Sequence, residues 1–158
     1  MNYYQLLITG EQKVYPVPHL QWIDKIKILR LTLGTIKSYK TKGARSILGI
    51  LHDIPPIKRI YFENTTQSFL FARDICVFVQ MIINFNNPKA ICLERSSVIC
   101  TALRSMGLPA QVVIGRKASA NSASDYNFHA WVELDSIPVN DHYANKTCFI
   151  EIERFPHK

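Results

Sequence analysis

Cysteine, histidine and aspartate occur in this chain in an order that can run acyl chemistry: Cys92, then His129, then Asp141. In such a set a thiolate attacks a carbonyl, an imidazole within hydrogen-bond reach moves the proton, and a carboxylate orients the imidazole. The four cysteines are Cys76, Cys92, Cys100 and Cys148. Cys92 stands where a helix over 92–106 should begin, and the unpaired N–H groups and dipole of a helix N-terminus favour a thiolate. The same N–H groups can hold a developing oxyanion. Cys100 lies two turns further along, Cys76 falls in an apolar helical stretch and Cys148 alternates with apolar strand residues. These three read as core filling.

Five histidines compete for the role of base. His129 lies in a strand over 128–134, between Phe128 and Trp131, where rigid neighbours can hold a ring in place. His142, adjacent to Asp141, is its rival. His157 sits at the C-terminal end, and His19 and His52 read as surface or packing residues. Two carboxylates follow His129, namely Asp135 and Asp141. Asp135 suits a turn tip. Side chains alternate along strands, so the connection length decides whether Asp141 can reach His129. A two-residue turn at Asp135 and Ser136 sets residue 130 opposite 141 and turns His129 and Asp141 to opposite faces. The pairing therefore calls for an odd-numbered connection or a bulge.

These residues need elements to position them. Composition allows a real core: 47% of the 158 residues are hydrophobic, which excludes wholesale disorder. A strand over 3–8 precedes a turn at Pro16 and Pro18, and an amphipathic helix follows over 19–39. Gly43 separates it from an apolar run at 47–51, and Pro55 and Pro56 stop helix there. A helix over 66–85, capped by Thr65 or Thr66, is interrupted by Arg73, Asp74 and Gln80, so it reads as a buried helix and not as a membrane span. After the 92–106 helix, with Gly107 as its stop, come strands over 110–115, 128–134, 137–141 and 147–153, and a polar loop over 116–126 that can cover the cleft. The order of helix and then antiparallel strands is an α+β plan. It divides into a mainly helical segment over 1–89 packed on a core over 90–158, as one compact domain.

The net charge is +7, with Lys25, Lys27, Arg30, Lys37, Lys40, Lys42 and Arg45 concentrated early. A solvated helical face, or a docking surface for an acidic partner, accounts for them; no nucleic-acid motif accompanies the charge. No CxxC pair or other metal-ligand spacing exists, so neither a metal nor another cofactor is expected. The N-terminus lacks the cationic start of a secretory signal, so a cytoplasmic chain with reduced thiols is expected.

Four pieces in order carry a family resemblance: Cys92-Leu93-Glu94-Arg95-Ser96; Gly107-Leu108-Pro109-Ala110 leading to Val113-Ile114-Gly115; His129-Ala130-Trp131-Val132-Glu133; and Pro138-Val139-Asn140-Asp141. Over residues 90–153 the chain resembles the lasso-peptide biosynthesis leader peptidases, which are transglutaminase-like cysteine peptidases. The resemblance implies a transglutaminase or papain-like core, with a nucleophile helix on an antiparallel sheet. It also implies Cys92, His129 and Asp141 as nucleophile, base and orienting carboxylate.

The implied reaction removes the leader peptide from a ribosomally made precursor through a thioester. The implied partners are the precursor, a separate small leader-recognition protein and an ATP-dependent macrolactam cyclase that uses the freed amine. Ser136 stands where many relatives carry glycine. A glutamine-type oxyanion donor has no clear match, with Gln80 as the candidate. Arg95 reads as a structural ion-pair partner or a substrate contact, and Trp131 as a shield for the His129–Asp141 pair or as core. Two alternatives remain: acyl transfer to an amine through the same thioester, and a non-catalytic peptide-binding module of this fold.

Overall fold

The computed structural model describes residues 10, 16–58, 60–118, 128–141 and 146–157. The expected strand over 3–8, most of the 116–126 loop and His142 lie outside the described residues. Among these, four helices are followed by a four-stranded antiparallel sheet, the α+β order read from the sequence: α1 (Trp22–Lys42), α2 (Ala44–Ile50), α3 (Thr65–Asn86), α4 (Cys92–Ser105), β1 (Gln111–Lys117), β2 (Phe128–Leu134), β3 (Ile137–Pro138) and β4 (Phe149–Phe155). Sheet order is β3-β2-β1-β4.

Helix α1 buries Ile28, Thr32, Thr35 and Ile36 along one face, and its buried Asp24 pairs with Lys58 at 3.2 Å. Lys27, Arg30, Lys37, Lys40 and Lys42 lie exposed, as a solvated face requires. Helix α3 is long and apolar enough to cross a membrane, yet Phe71, Ala72, Ile75, Cys76, Val79 and Ile83 sit in the hydrophobic core. Its cap is Asn64, in place of the expected Thr65 or Thr66. The Asn64 side chain accepts from the Gln67 N–H at 2.9 Å, while Gln67 Oε1 accepts from the Glu63 N–H at 2.9 Å. Asparagine followed by glutamine three residues later is a sequence signature of a helix start; here the glutamine reaches back to the residue before the cap.

Helix α4 ends as its sequence predicts. Gly107 adopts φ 80°, its N–H bonds the Arg104 carbonyl at 2.9 Å, and the Leu108 N–H bonds the Leu103 carbonyl at 3.2 Å. This is a double closure that a left-handed residue makes possible. The helix leads into β1, whose Val112 packs with Val132 and Leu134 of β2 in the core.

The β2–β3 hairpin departs from the expected loop. Leu134 pairs with Ile137 and Glu133 with Pro138, so the turn holds only Asp135 and Ser136. Both have positive φ, 49° and 67°, the conformation that matches strand twist in a two-residue turn. The third strand is two residues long instead of spanning 137–141. Strand β4 begins at Phe149, and Cys148 is exposed instead of filling the core. A bulge between Ile114 and Gly115 of β1 pairs Gly115 with Glu151 and Ile114 with Glu153. Ile150 and Ile152 consequently face solvent, 46% and 52% exposed, whereas Phe149 turns inward, opposite to simple alternation.

A serine in the left-handed region costs about 1–2 kcal/mol, and the extra unfolded freedom of glycine offsets about 0.4–1 kcal/mol of any relief. Ser136→Gly is expected to raise stability by roughly 0.5 kcal/mol in urea melts, with activity unchanged.

Candidate active site

Cys92 is the first residue of α4. The preceding Ile91 adopts an extended conformation and supplies no side-chain cap. An apolar N-cap leaves the first-turn N–H groups without the usual oxygen partner, which suits an anion arriving from outside the chain. Arg95 fixes the approach to this turn. Its guanidinium donates to the carbonyls of Ala90 (2.9 Å) and Pro88 (3.0 Å) and to Asn84 Oδ1 (2.6 Å). In these bonds Arg95 ties the connector before α4 to α3 through neutral oxygens and not through a carboxylate. Buried Glu94 accepts from Asn87 Nδ2 at 2.7 Å, which ties down the same connector. Helix α1 reaches this end of α4 through Tyr39, whose phenol is pushed up by burial and then by the neighbouring charges of Glu94 and Cys92.

His129 Nε2 and Asp141 Oδ2 are 2.5 Å apart, a charge-assisted hydrogen bond in which the imidazole N–H donates. His129 is 31% exposed and Asp141 15%. The two therefore meet despite the two-residue turn, because β3 stops at Pro138 and the chain beyond leaves the ladder. The Val139 N–H still bonds the Val132 carbonyl at 2.8 Å. The Val132 N–H, however, is taken by Asn140 Oδ1 at 2.7 Å, and Val139's own carbonyl accepts from Arg73 of α3.

Cys92 sits one helical turn before Ser96, whose hydroxyl donates to the carbonyl of Ala130 at 2.9 Å. The Cys92 end of α4 is thereby attached to the residue next to His129. Gln80 lies on α3 at i+7 from Arg73 and i−4 from Asn84, on the stripe of the helix that reaches Val139 on one side and Arg95 on the other. Among the described residues no hydrogen bond joins Gln80 to Cys92 or His129.

An aromatic wall backs the imidazole. The ring of Trp131 is stacked 6.0 Å from His129 at 25°, and Phe149 lies 5.2 Å from it. Trp131 is buried, and its indole N–H donates to Glu133 Oε1 at 2.9 Å. Gly115, paired with His129 across β1 and β2, makes room: a Cβ there would fall 2.9 Å from the indole ring and 3.1 Å from the Ile150 carbonyl oxygen. Glu133, only 1% exposed, also pairs with Lys146 (2.9 Å) and Arg154 (2.9 Å). Burial on its own would raise this carboxyl, but hydrogen bonds from Trp131, Lys146 and Arg154 outweigh it and hold the pKa below the ordinary value. Sequence reasoning missed Glu133, Phe149, Asn140 and Arg73. The alternation of His129, Trp131 and Glu133 on one strand face was the available signal for Glu133.

The other thiols differ in kind. Burial pushes Cys76 and Cys100 up to about 12, where they stay protonated and inert. Among the described residues no group of three or more His, Cys, Asp or Glu side chains could hold a metal ion.

Comparison with known proteins agrees with this architecture. The family described as Transglutaminase-like superfamily matches residues 52–154. No curated protein and no solved structure gave a significant match.

Two outcomes follow. Iodoacetamide at neutral pH is expected to modify Cys92 and the exposed Cys148, with Cys76 and Cys100 unmodified until the protein unfolds, as peptide mapping would read. Because the folded pKa of Glu133 is lowered, its carboxylate stabilises the fold above the unfolded value and this contribution is lost as pH falls through the folded value. Glu133→Gln should cost about 3 kcal/mol at pH 7, and the gap from wild type should shrink in melts recorded below about pH 4.

Proposed function

Because the chain belongs to the transglutaminase-like superfamily, whose fold typically serves cysteine peptidases or acyltransferases, we propose that it is a cysteine peptidase. Its substrate is a ribosomally made lasso-peptide precursor, from which it removes the leader. The observation that carries this reading is the hydrogen bond from His129, on β2, to Asp141, just beyond β3, with β2 attached through Ala130 and Ser96 to the helix that begins at Cys92. The leader specificity rests on the four ordered sequence pieces described above.

With Nε2 committed to Asp141, Nδ1 is the imidazole nitrogen that exchanges a proton with the Cys92 sulfur. The thiolate attacks the carbonyl at the leader–core junction, and the backbone N–H groups at the start of α4 hold the oxyanion. Gln80, on the α3 stripe between the Arg73 and Asn84 contacts, is the proposed second donor. Imidazolium His129 then protonates the departing amine, and neutral His129 activates the water that hydrolyses the thioester. Asp141 keeps the ring oriented and stabilises its charged form. Trp131 and Phe149 shield one side of the ring from water. The leader is delivered by a separate recognition protein, and the freed amine goes to an ATP-dependent cyclase.

The test incubates precursor and recognition protein with wild-type chain or Cys92→Ala and reads the products by mass spectrometry. Wild type is expected to release the leader, and Cys92→Ala to lose at least about a thousandfold in rate. Cleavage by Cys92→Ala at the wild-type rate would remove the nucleophile assignment. A labelled amine in the same reaction separates hydrolysis from acyl transfer: incorporation at the junction makes the chain an acyltransferase.

A further inference from the structure

In the β2–β3 register, regular pairing beyond Glu133 and Pro138 would set Val132 opposite Val139, Trp131 opposite Asn140 and Ala130 opposite Asp141. Asp141 would then share a face with Ala130 and point away from His129. The observed chain makes half of the Val132–Val139 pair, since only the Val139 N–H is bonded in the ladder. The other half is replaced from two sides: Arg73 takes the Val139 carbonyl, and the Asn140 side chain takes the Val132 N–H at 2.7 Å. Because that donor is a backbone N–H, the amide oxygen must face it, and the amide nitrogen is turned to Ser96 Oγ at 3.4 Å. Ser96, fully buried, donates its own hydroxyl hydrogen bond to the Ala130 carbonyl.

We propose that Asn140, supported by Arg73 and Ser96, is a positioning residue that substitutes for the strand ladder and so turns Asp141 onto His129. This rests on the reading of His129 and Asp141 as catalytic partners. Each member of the junction is adjacent to a member of the site: Ser96 one turn from Cys92, Ala130 next to His129, Asn140 next to Asp141. A side chain is required in the ladder because a backbone acceptor at that position would restore the register and carry Asp141 to the wrong face. Asparagine meets the requirement, offering one acceptor to the strand and one donor to the helix.

The test uses the full chain without substrate. Proton NMR of isotopically labelled protein is expected to show the His129 Nε2–H far downfield, as a carboxylate-bonded imidazole proton, with Asp141→Ala abolishing the signal. Asn140→Ala, which keeps both partners, is expected to lose or shift it and to lower the neutral-pH rate of Cys92 modification by iodoacetamide about tenfold. A folded Asn140→Ala with the wild-type resonance and labelling rate overturns the proposal. Asn140→Asp keeps the acceptor for Val132 and is expected to keep the resonance. If the alanine variant does not fold, a folded Asn140→Asp without the resonance overturns it. Failure of the functional reading would appear elsewhere, as precursor cleavage by Cys92→Ala, and leaves this resonance unchanged.

Discussion

Helix α4 has no free side, and the rest of the molecule is arranged around that constraint. Ten of its fourteen residues are buried, with α1 and α3 on the helical side and β2 against the other. A helix so enclosed would ordinarily be apolar all round, but this one carries Ser96, Ser97, Thr101 and Ser105. Three of them donate back to carbonyls of their own helix: Ser97 to Leu93 (2.7 Å), Thr101 to Ser97 (2.8 Å) and Ser105 to Ala102 (2.7 Å). Only Ser96 reaches outward, to β2. Small hydroxyl side chains let neighbouring elements approach closely while leaving few buried polar atoms without partners. The helix is therefore held rigidly from several sides, and Cys92 at its mouth takes its position from that packing.

The second fixed body is the sheet face that carries His129. Gly115 clears the floor, Trp131 lies over it, and Glu133 holds the indole N–H while anchored by Lys146 and Arg154. The β1–β4 bulge has a function here. By placing an extra residue between Glu151 and Arg154 it brings both to the same side, where Arg154 bonds Glu151 at 2.7 Å as well as Glu133 at 2.9 Å. A buried carboxylate is costly unless it is paired; here each oxygen has a cation at 2.9 Å, Lys146 at Oε1 and Arg154 at Oε2, although Oε2 accepts no hydrogen bond of good geometry.

Much of this was legible before the structure. The helix start at Cys92, the stop at Gly107, the strand around His129 and the turn at Asp135 follow from local chemistry that tertiary contacts did not override. The full enclosure of α4 was not legible, because its hydroxyl residues look like a solvent face until their partners are known. Strand β4 was misread because alternation has no memory of a bulge: one inserted residue turned Phe149 toward His129 and left Ile150 and Ile152 outside. Asn64 was overlooked as a cap only because two threonines follow it.

The Asp141 case shows how register rules fail and what they still determine. Counting along a two-residue turn correctly separates residues 129 and 141 onto opposite faces, provided the ladder continues. An odd loop or a bulge was the expected escape, since both keep strand pairing intact. The chain instead abandons pairing after Pro138, and that choice is stable only because each backbone group it leaves finds another partner: the Val132 N–H in Asn140, the Val139 carbonyl in Arg73. Buried peptide groups must be satisfied somewhere, so a strand can end early inside a protein only where side chains from distant elements stand ready. Arg73 is 66 residues away in the chain, and nothing local to 137–141 announces it. The deviation is concentrated where the Asp141 carboxylate meets the His129 imidazole, and functional sites are where consistency between local pattern and global fold is expected to yield.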